Sequence, residues 1–114
     1  MDKIIDMDSL LAFSRNDKEI VARIVQAYVS TIPLYIHEAK IAVETKDSKI
    51  IRAMCHKLLG SAKSVRTTHV VESVEHLRQL AIAQKQEDFS NALATICVNL
   101  QNVAKYAKQN NIIS

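Results

Sequence analysis

A chain of 114 residues with one glycine, Gly60, and one proline, Pro33, has little with which to build tight turns. Turns draw on glycine for positive backbone φ and on proline for a preset φ. An all-β chain would need a turn roughly every ten residues, and a chain alternating strands with helices would need nearly as many short loops. Few turns mean few, long elements, so the fold class this composition points to is all-α. With 48% of residues hydrophobic and 24% charged, a domain of this length closes a core without disulfide or metal staples. Residues 1–114 are read as one domain, with no internal repeat and no linker.

Apolar spacing locates the helices. Asp8 is placed to cap a short first helix over residues 9–13, and Asn16 with Glu19 has the spacing of a capping box. Ile20, Ile24, Tyr28, Ile32, Ile36, Ala39 and Val43 recur mostly at four-residue steps, which reads as one face of a long second helix ending near residues 44–46. Pro33 lies inside it and predicts a kink or a local break. Asp47 or Ser48 caps a third helix with a core stripe of Ile51, Met54, Leu58, Ala62 and Val65, ending at residues 66–68. Thr68 caps a fourth, with Val70, Val74, Leu77 and Ala81 inward. Residues 85–88 form a polar break, and Asp88 caps the last helix, with Phe89, Leu93, Ile96, Leu100, Val103 and Tyr106 on one side. Residues 110–114 are expected to fray. Short connections make neighbouring helices antiparallel. The expected architecture is therefore an antiparallel up-down-up-down four-helix bundle with a short additional N-terminal helix across it.

Several function classes fall away. Two cysteines, Cys55 and Cys97, make neither a disulfide framework nor a C-x-x-C motif. The charged N-terminus is no signal peptide, and no apolar run approaches the ~18 residues of a membrane span. The chain thus reads as cytoplasmic, without direct membrane contact, and monomeric. A net charge of +3 and 4% aromatic residues argue against nucleic acid, which needs a basic face or exposed rings for base stacking. One glycine cannot build a phosphate-cradling ATP loop. His69, Glu72 and His76 share a helix face, but a bundle metal site needs Glu-x-x-His pairs on two helices, and none is present. His37, next to Glu38, reads as surface, Cys55 as a packed thiol, and Cys97 as packed or partly exposed.

The third helix is the place where chemistry concentrates. On a helical wheel His56 lies about 160° from the centre of the core stripe, facing water. Lys49, Arg52, Gly60 and Lys63 fall within about 40° of it, with Leu59 and Ala53 about 60° to either side. No acidic residue occurs between Lys49 and Thr68. Gly60 sits mid-helix, where glycine costs about 1 kcal/mol relative to alanine. Leu59 is expected to be largely exposed. A solvated basic face is the ordinary explanation for such a pattern. The misplaced glycine and the apolar contact beside a histidine suggest instead a docking spot for something anionic.

The stretch Cys55-His56-Lys57-Leu58-Leu59-Gly60-Ser61-Ala62 resembles the signature of histidine-containing phosphotransfer (HPt) domains of bacterial two-component phosphorelays, roughly A-H-x-L-K-G-S-A. The resemblance covers nearly the whole chain: a short first helix, an entry like Leu10 to Asp17, a late proline like Pro33, and the five-helix pattern. It places His56 on the phosphorylated histidine, Leu58 on the buried leucine, and Gly60, Ser61 and Ala62 on the G-S-A run. Lys57 matches a residue common in some members. Three positions depart from the pattern. Leu59 stands where the family usually carries Lys, Arg66 where it carries Gly, and Arg78 where it often carries Gln or Glu. The resemblance implies that the missing Lys offset phosphate charge. Arg52, Lys63, Lys57 and Arg78 are the candidates to support the phosphate in its place, and Leu59, Gly60, Lys49 and Ala53 the candidates for partner docking.

By this resemblance the protein is a phosphorelay intermediate. It would accept a phosphoryl group on His56 from an aspartyl phosphate of one response-regulator receiver domain and pass it to another, serving a sensor or hybrid histidine kinase. No cofactor is implied in this chain, since the Mg²⁺ belongs to the partner receiver domain. It would be a phosphocarrier rather than a kinase, since the chain lacks an ATP-binding motif. The alternative is a non-catalytic helical adaptor that docks receivers or other signalling domains without carrying phosphate.

Overall fold

Aspartate side chains open three of the helices. Asp6 Oδ1 accepts from the Ser9 amide at 3.2 Å. Asp17 Oδ1 accepts from the Glu19 and Ile20 amides at 3.0 and 3.2 Å, and Asp47 Oδ1 from those of Lys49 and Ile50 at 2.9 and 3.4 Å. Each thereby satisfies first-turn N–H groups that have no carbonyl partner. In the computed structural model, which describes residues 3–113, these caps begin α1 (Met7–Phe13), α2 (Lys18–Glu44) and α3 (Ser48–Ser64). Then come α4 (Thr68–Ile82), a 3₁₀ turn (Gln86–Asp88) and α5 (Phe89–Gln109). The protein is all-helical, with no strand among the described residues.

The caps differ from the sequence expectation in four places. Asp6 rather than Asp8 caps α1, two residues earlier. Asn16 takes a left-handed φ of 61° and its amide bonds back to the Leu11 carbonyl at 2.7 Å, so it finishes the first helix and leaves Asp17 to start the second. Thr68 is already inside α4, and its hydroxyl donates to the Lys3 carbonyl, tying down the N-terminal segment. Asp88 makes no cap bond: the 3₁₀ turn runs into α5 with Asp88 already helical.

The core stripe of α2 also runs differently. Ile20 is exposed and Ile24 and Ile36 only half-buried, whereas Val21, Val25, Tyr28, Ile32, Ala39, Ala42 and Val43 are buried. Repeated four-residue steps advance about 40° each around a helix and wind off any straight face, while alternating steps of four and three hold it. The stripes read for α3 and α4 are buried throughout, as are Phe89, Ile96, Leu100 and Val103 of α5. Leu93 and Tyr106 sit half-buried at the margin. α2 continues through Pro33 without a break.

Packing follows chain order. α2 lies against α3, α3 against α4, α4 against α5, and α5 returns to α2, while α1 rests on α2. One hydrophobic cluster fills the space between them, in a body of 42 × 22 × 22 Å. Within residues 110–113 the expected fraying is not seen: the amides of Ile112 and Ile113 bond to the Ala107 carbonyl, and both side chains pack half-buried on the core. Ser114 lies outside the described residues. No helix among them is long and apolar enough to cross a membrane.

Candidate functional site

α3 has two adjacent rows of residues with opposite fates. Ile51, Cys55 and Leu59 succeed one another at one-turn intervals and are buried; Arg52, His56 and Gly60, one residue further on, are exposed. A shift of one residue turns a helical side chain by about 100°. Because α3 packs on both α2 and α4, its apolar arc must be wide enough to serve two neighbours. Leu59 is taken into that arc and is only 7% exposed. The expectation that Leu59 would be an exposed docking contact is therefore corrected: its side chain belongs to the core.

The exposed row opens into a shallow depression of about 490 Å³ lined by Lys49, Arg52, Ala53, His56 and Arg78. Four of these residues come from the first three turns of α3, and Arg78 reaches in from α4. All five were singled out in the sequence. No acidic side chain is among the lining residues, so the imidazole sits at the edge of a cationic surface that favours an anion. Ala53, also exposed, adds little side-chain bulk to it.

The other candidates fall elsewhere. Lys57 was expected to support the phosphate; its ammonium bonds both carboxylate oxygens of Glu38 on α2, at 2.8 and 3.0 Å. The reason is again angular, since Lys57 stands about 100° round from His56 and faces the neighbouring helix. Lys63, two turns past His56, lines a separate concavity with Asp6, Ser9, Arg66, Thr68, Val71 and Glu72. The depression that holds His56 thus contains Arg52 and Arg78 from the phosphate-supporting set, and neither Lys57 nor Lys63.

Gly60 is exposed and has an ordinary helical backbone; a Cβ built on it meets nothing within 4 Å. Neither packing nor φ requires a glycine there. The consequence is a smooth surface one turn beyond His56. The helix ends show the opposite economy. Arg15, Asn16, Lys46, Arg66, Gln84 and Asn111 all hold left-handed φ values of 55–61°, the conformation that glycine adopts most readily. Arg66 compensates by strapping α1 to the α3–α4 turn. Its Nε donates to Ser9 Oγ at 3.2 Å, its Nη1 to the carbonyls of Lys63 and Ser64, and its guanidinium lies 5.0 Å over the Phe13 ring.

Glu75 and Gln79 form the surroundings of Arg78 and carry no motif. Arg78 Nε and Nη2 donate to Glu75 Oε1 at 3.0 and 2.6 Å, and Gln79 Nε2 donates to the same oxygen at 3.1 Å. These bonds, Arg78's first, hold the Glu75 carboxyl below the usual carboxylate range, and the charge of Lys63 adds to the effect. Their i, i+3, i+4 spacing on α4 is the sequence signal that reveals such a cluster. Cys55, adjacent to His56 in sequence, points inward, and burial pushes its thiol up to about 12. It stays protonated and is no nucleophile at neutral pH. His69 is half-buried while Glu72 and His76 are exposed; among the described residues no three His, Cys, Asp or Glu side chains are grouped to hold a metal ion.

Comparison with protein-family models, with curated proteins and with solved structures finds no match to this chain.

Proposed function

We propose that this protein is a phosphocarrier of the histidine-containing phosphotransfer type, with His56 as acceptor and donor. The observation that carries the reading is the exposed imidazole in a depression lined also by Lys49, Arg52, Ala53 and Arg78. Such a surface supplies what transfer from an aspartyl phosphate demands. The unprotonated ring nitrogen attacks phosphorus in line; the N–P bond forms as the aspartyl O–P bond breaks, and the electron pair stays on the departing carboxylate. The other ring nitrogen keeps its hydrogen, so the product is a phosphoimidazolium that releases this proton to water. Cations beside the migrating group balance its oxygens. The metal ion belongs to the receiver domain, and the reverse sequence delivers the group to a second receiver.

Two further features support the reading. Gly60 leaves the approach to His56 free of side-chain bulk without serving the fold. Arg66, at the position where the family pattern has glycine, holds a φ of 61° that glycine favours. We extend the proposal to the architecture: the cyclic contact order of α2, α3, α4 and α5, the short connections and the elongated body fit an antiparallel four-helix bundle crossed by α1. In this reading the protein works in the cytoplasm as a monomer whose partners are receiver domains and a sensor or hybrid kinase.

The test is phosphoryl transfer from a panel of phosphorylated receivers to the wild-type protein and to His56→Gln. The expected result is an acid-labile label on wild type and its complete loss in the variant, with unchanged circular dichroism because His56 is exposed. Receiver binding without any label on wild type overturns the carrier reading in favour of a docking adaptor.

A further inference from the structure

Among the described residues, Arg78 is the only one lining the His56 depression that comes from another helix. It is also the one whose charge is already engaged. Its two bonds to Glu75 end on a single oxygen, Oε1, which also accepts from Gln79. Two of the five guanidinium N–H donors are used in this way, leaving three for another acceptor. Glu75 itself does not line the depression. The carboxylate is therefore outside the site, and the other donors of the guanidinium have no acceptor among the described residues.

We propose that Glu75 is a positioning residue which parks Arg78 at the rim of the depression, and that Arg78 shifts from Glu75 to the non-bridging oxygens of a phosphoryl group on His56. The inference rests on the phosphocarrier reading and adds to it a counter-ion exchange. Without a phosphoryl group, Lys49, Arg52 and Arg78 share one small surface and repel one another. Glu75 removes part of that repulsion and holds a flexible side chain in place. When the phosphoryl group arrives, its greater charge outcompetes one shared carboxylate oxygen. Both side chains keep more than a third of their surface in water, with exposures of 36% and 39%, so the competition is between solvated partners and is readily reversed. A carrier has to hold its cargo and then release it, and a returning carboxylate lowers the cost of release.

The direction of each effect follows from differential binding: in the loose transition state of phosphoryl transfer bonding to the leaving nitrogen is largely broken and the tetrahedral phosphoryl group flattens toward metaphosphate. A guanidinium placed for the oxygens of the tetrahedral group holds the phosphohistidine more tightly than the transition state of its hydrolysis. Glu75→Gln leaves Arg78 without a charged competitor and should lengthen the phosphohistidine half-life about threefold; Arg78→Gln should shorten it about threefold. The double variant should behave as Arg78→Gln alone, because Glu75 acts only through Arg78.

The experiment uses the full chain and phosphoramidate as a small-molecule phosphodonor, so that no receiver is needed. Label on His56, its half-life and the NMR resonance of the Arg78 Nε–H are followed together. The expected result is a labelled wild type, an Nε–H resonance that moves on phosphorylation, and the three half-lives above. If His56 takes no label from phosphoramidate, the carrier reading falls and the exchange with it. Should label appear with equal half-lives in wild type and Glu75→Gln, or should Glu75→Gln still act when Arg78 is absent, the exchange alone is overturned and His56 keeps its role. An Nε–H resonance unmoved by phosphorylation has the same meaning.

Discussion

Cys55 and His56 are neighbours in the chain and opposites in the structure. The row that contains Cys55 continues to Leu59 and is sealed in the core; the row that contains His56 continues to Gly60 and lies in water. The inner row is governed by volume and by the absence of water: its thiol is pushed up to about 12 by burial. The outer row meets nothing that the fold requires, yet it carries the chain's only glycine and borders the cation-lined depression. The difference separates two kinds of constraint on one helix. What sits inward answers to packing with α2 and α4, and what sits outward answers, in the proposed reading, to a partner.

The largest expected effect lies in the inner row. Leu59→Ala removes a buried side chain and should cost about 2–4 kcal/mol of stability by chemical denaturation. Below the unfolding transition its phosphoryl uptake from phosphoramidate should match wild type. A variant of unchanged stability would show that Leu59 is not the core residue its 7% exposure makes it, and the contrast between rows would fail.

The outer row should respond the other way round. Gly60→Gln places a long side chain beside His56 in open space. It should slow transfer from a receiver domain by about tenfold, as a misplacement near the reacting atoms does, while labelling by phosphoramidate stays unchanged. Equal slowing with both donors would point to a disturbed imidazole rather than blocked approach. Gly60→Ala, which adds only the methyl group, should raise stability by about 1 kcal/mol. A destabilised Gly60→Ala would mean that the glycine serves the fold after all.

Much of this was legible in the sequence because helix faces are periodic. The buried stripes of α3 and α4 could be read from spacing alone, and so could the gathering of Lys49, Arg52, Ala53 and His56 on one surface. Arg78 required a relation between helices, which family resemblance supplied and periodicity did not. The misreadings share a cause. By its angle from a narrow stripe Leu59 is an outward residue, but with two neighbours the apolar stripe of α3 is a broad arc that takes it in. On α2 the four-residue steps through Ile20 and Ile24 drift round the helix and off its buried face. Lys57 had the right charge, but its partner Glu38 lies 19 residues away on α2, a contact that local spacing does not contain. The cap positions turned on backbone conformation: Asn16 adopts a left-handed φ, and no composition rule forces that on a chain with glycine to spare only at position 60.

The smallest effect concerns that last point and extends the comparison from the rows of α3 to the helix ends. Lys46 holds a φ of 55° between α2 and α3, is exposed, and its amide bonds the Val43 carbonyl as the closing turn requires. Unlike Arg66, its side chain forms no hydrogen bond or ion pair among the described residues, so nothing there offsets the left-handed backbone. Lys46→Gly should therefore relieve strain and stabilise the protein by about 0.5–1 kcal/mol, partly offset by the extra freedom glycine gives the unfolded chain. Thermal melts of Lys46→Gly, Gly60→Ala and the double variant measure both positions against one reference, and the two gains should add because the sites lie toward opposite ends of α3, about 20 Å apart at the rise of a helix, and share no partner. A glycine moved from mid-helix to a helix end would then improve the fold twice over. The protein forgoes that gain at the place where it keeps a bare helix surface beside an exposed histidine, and the bare surface is what a phosphoryl donor would need.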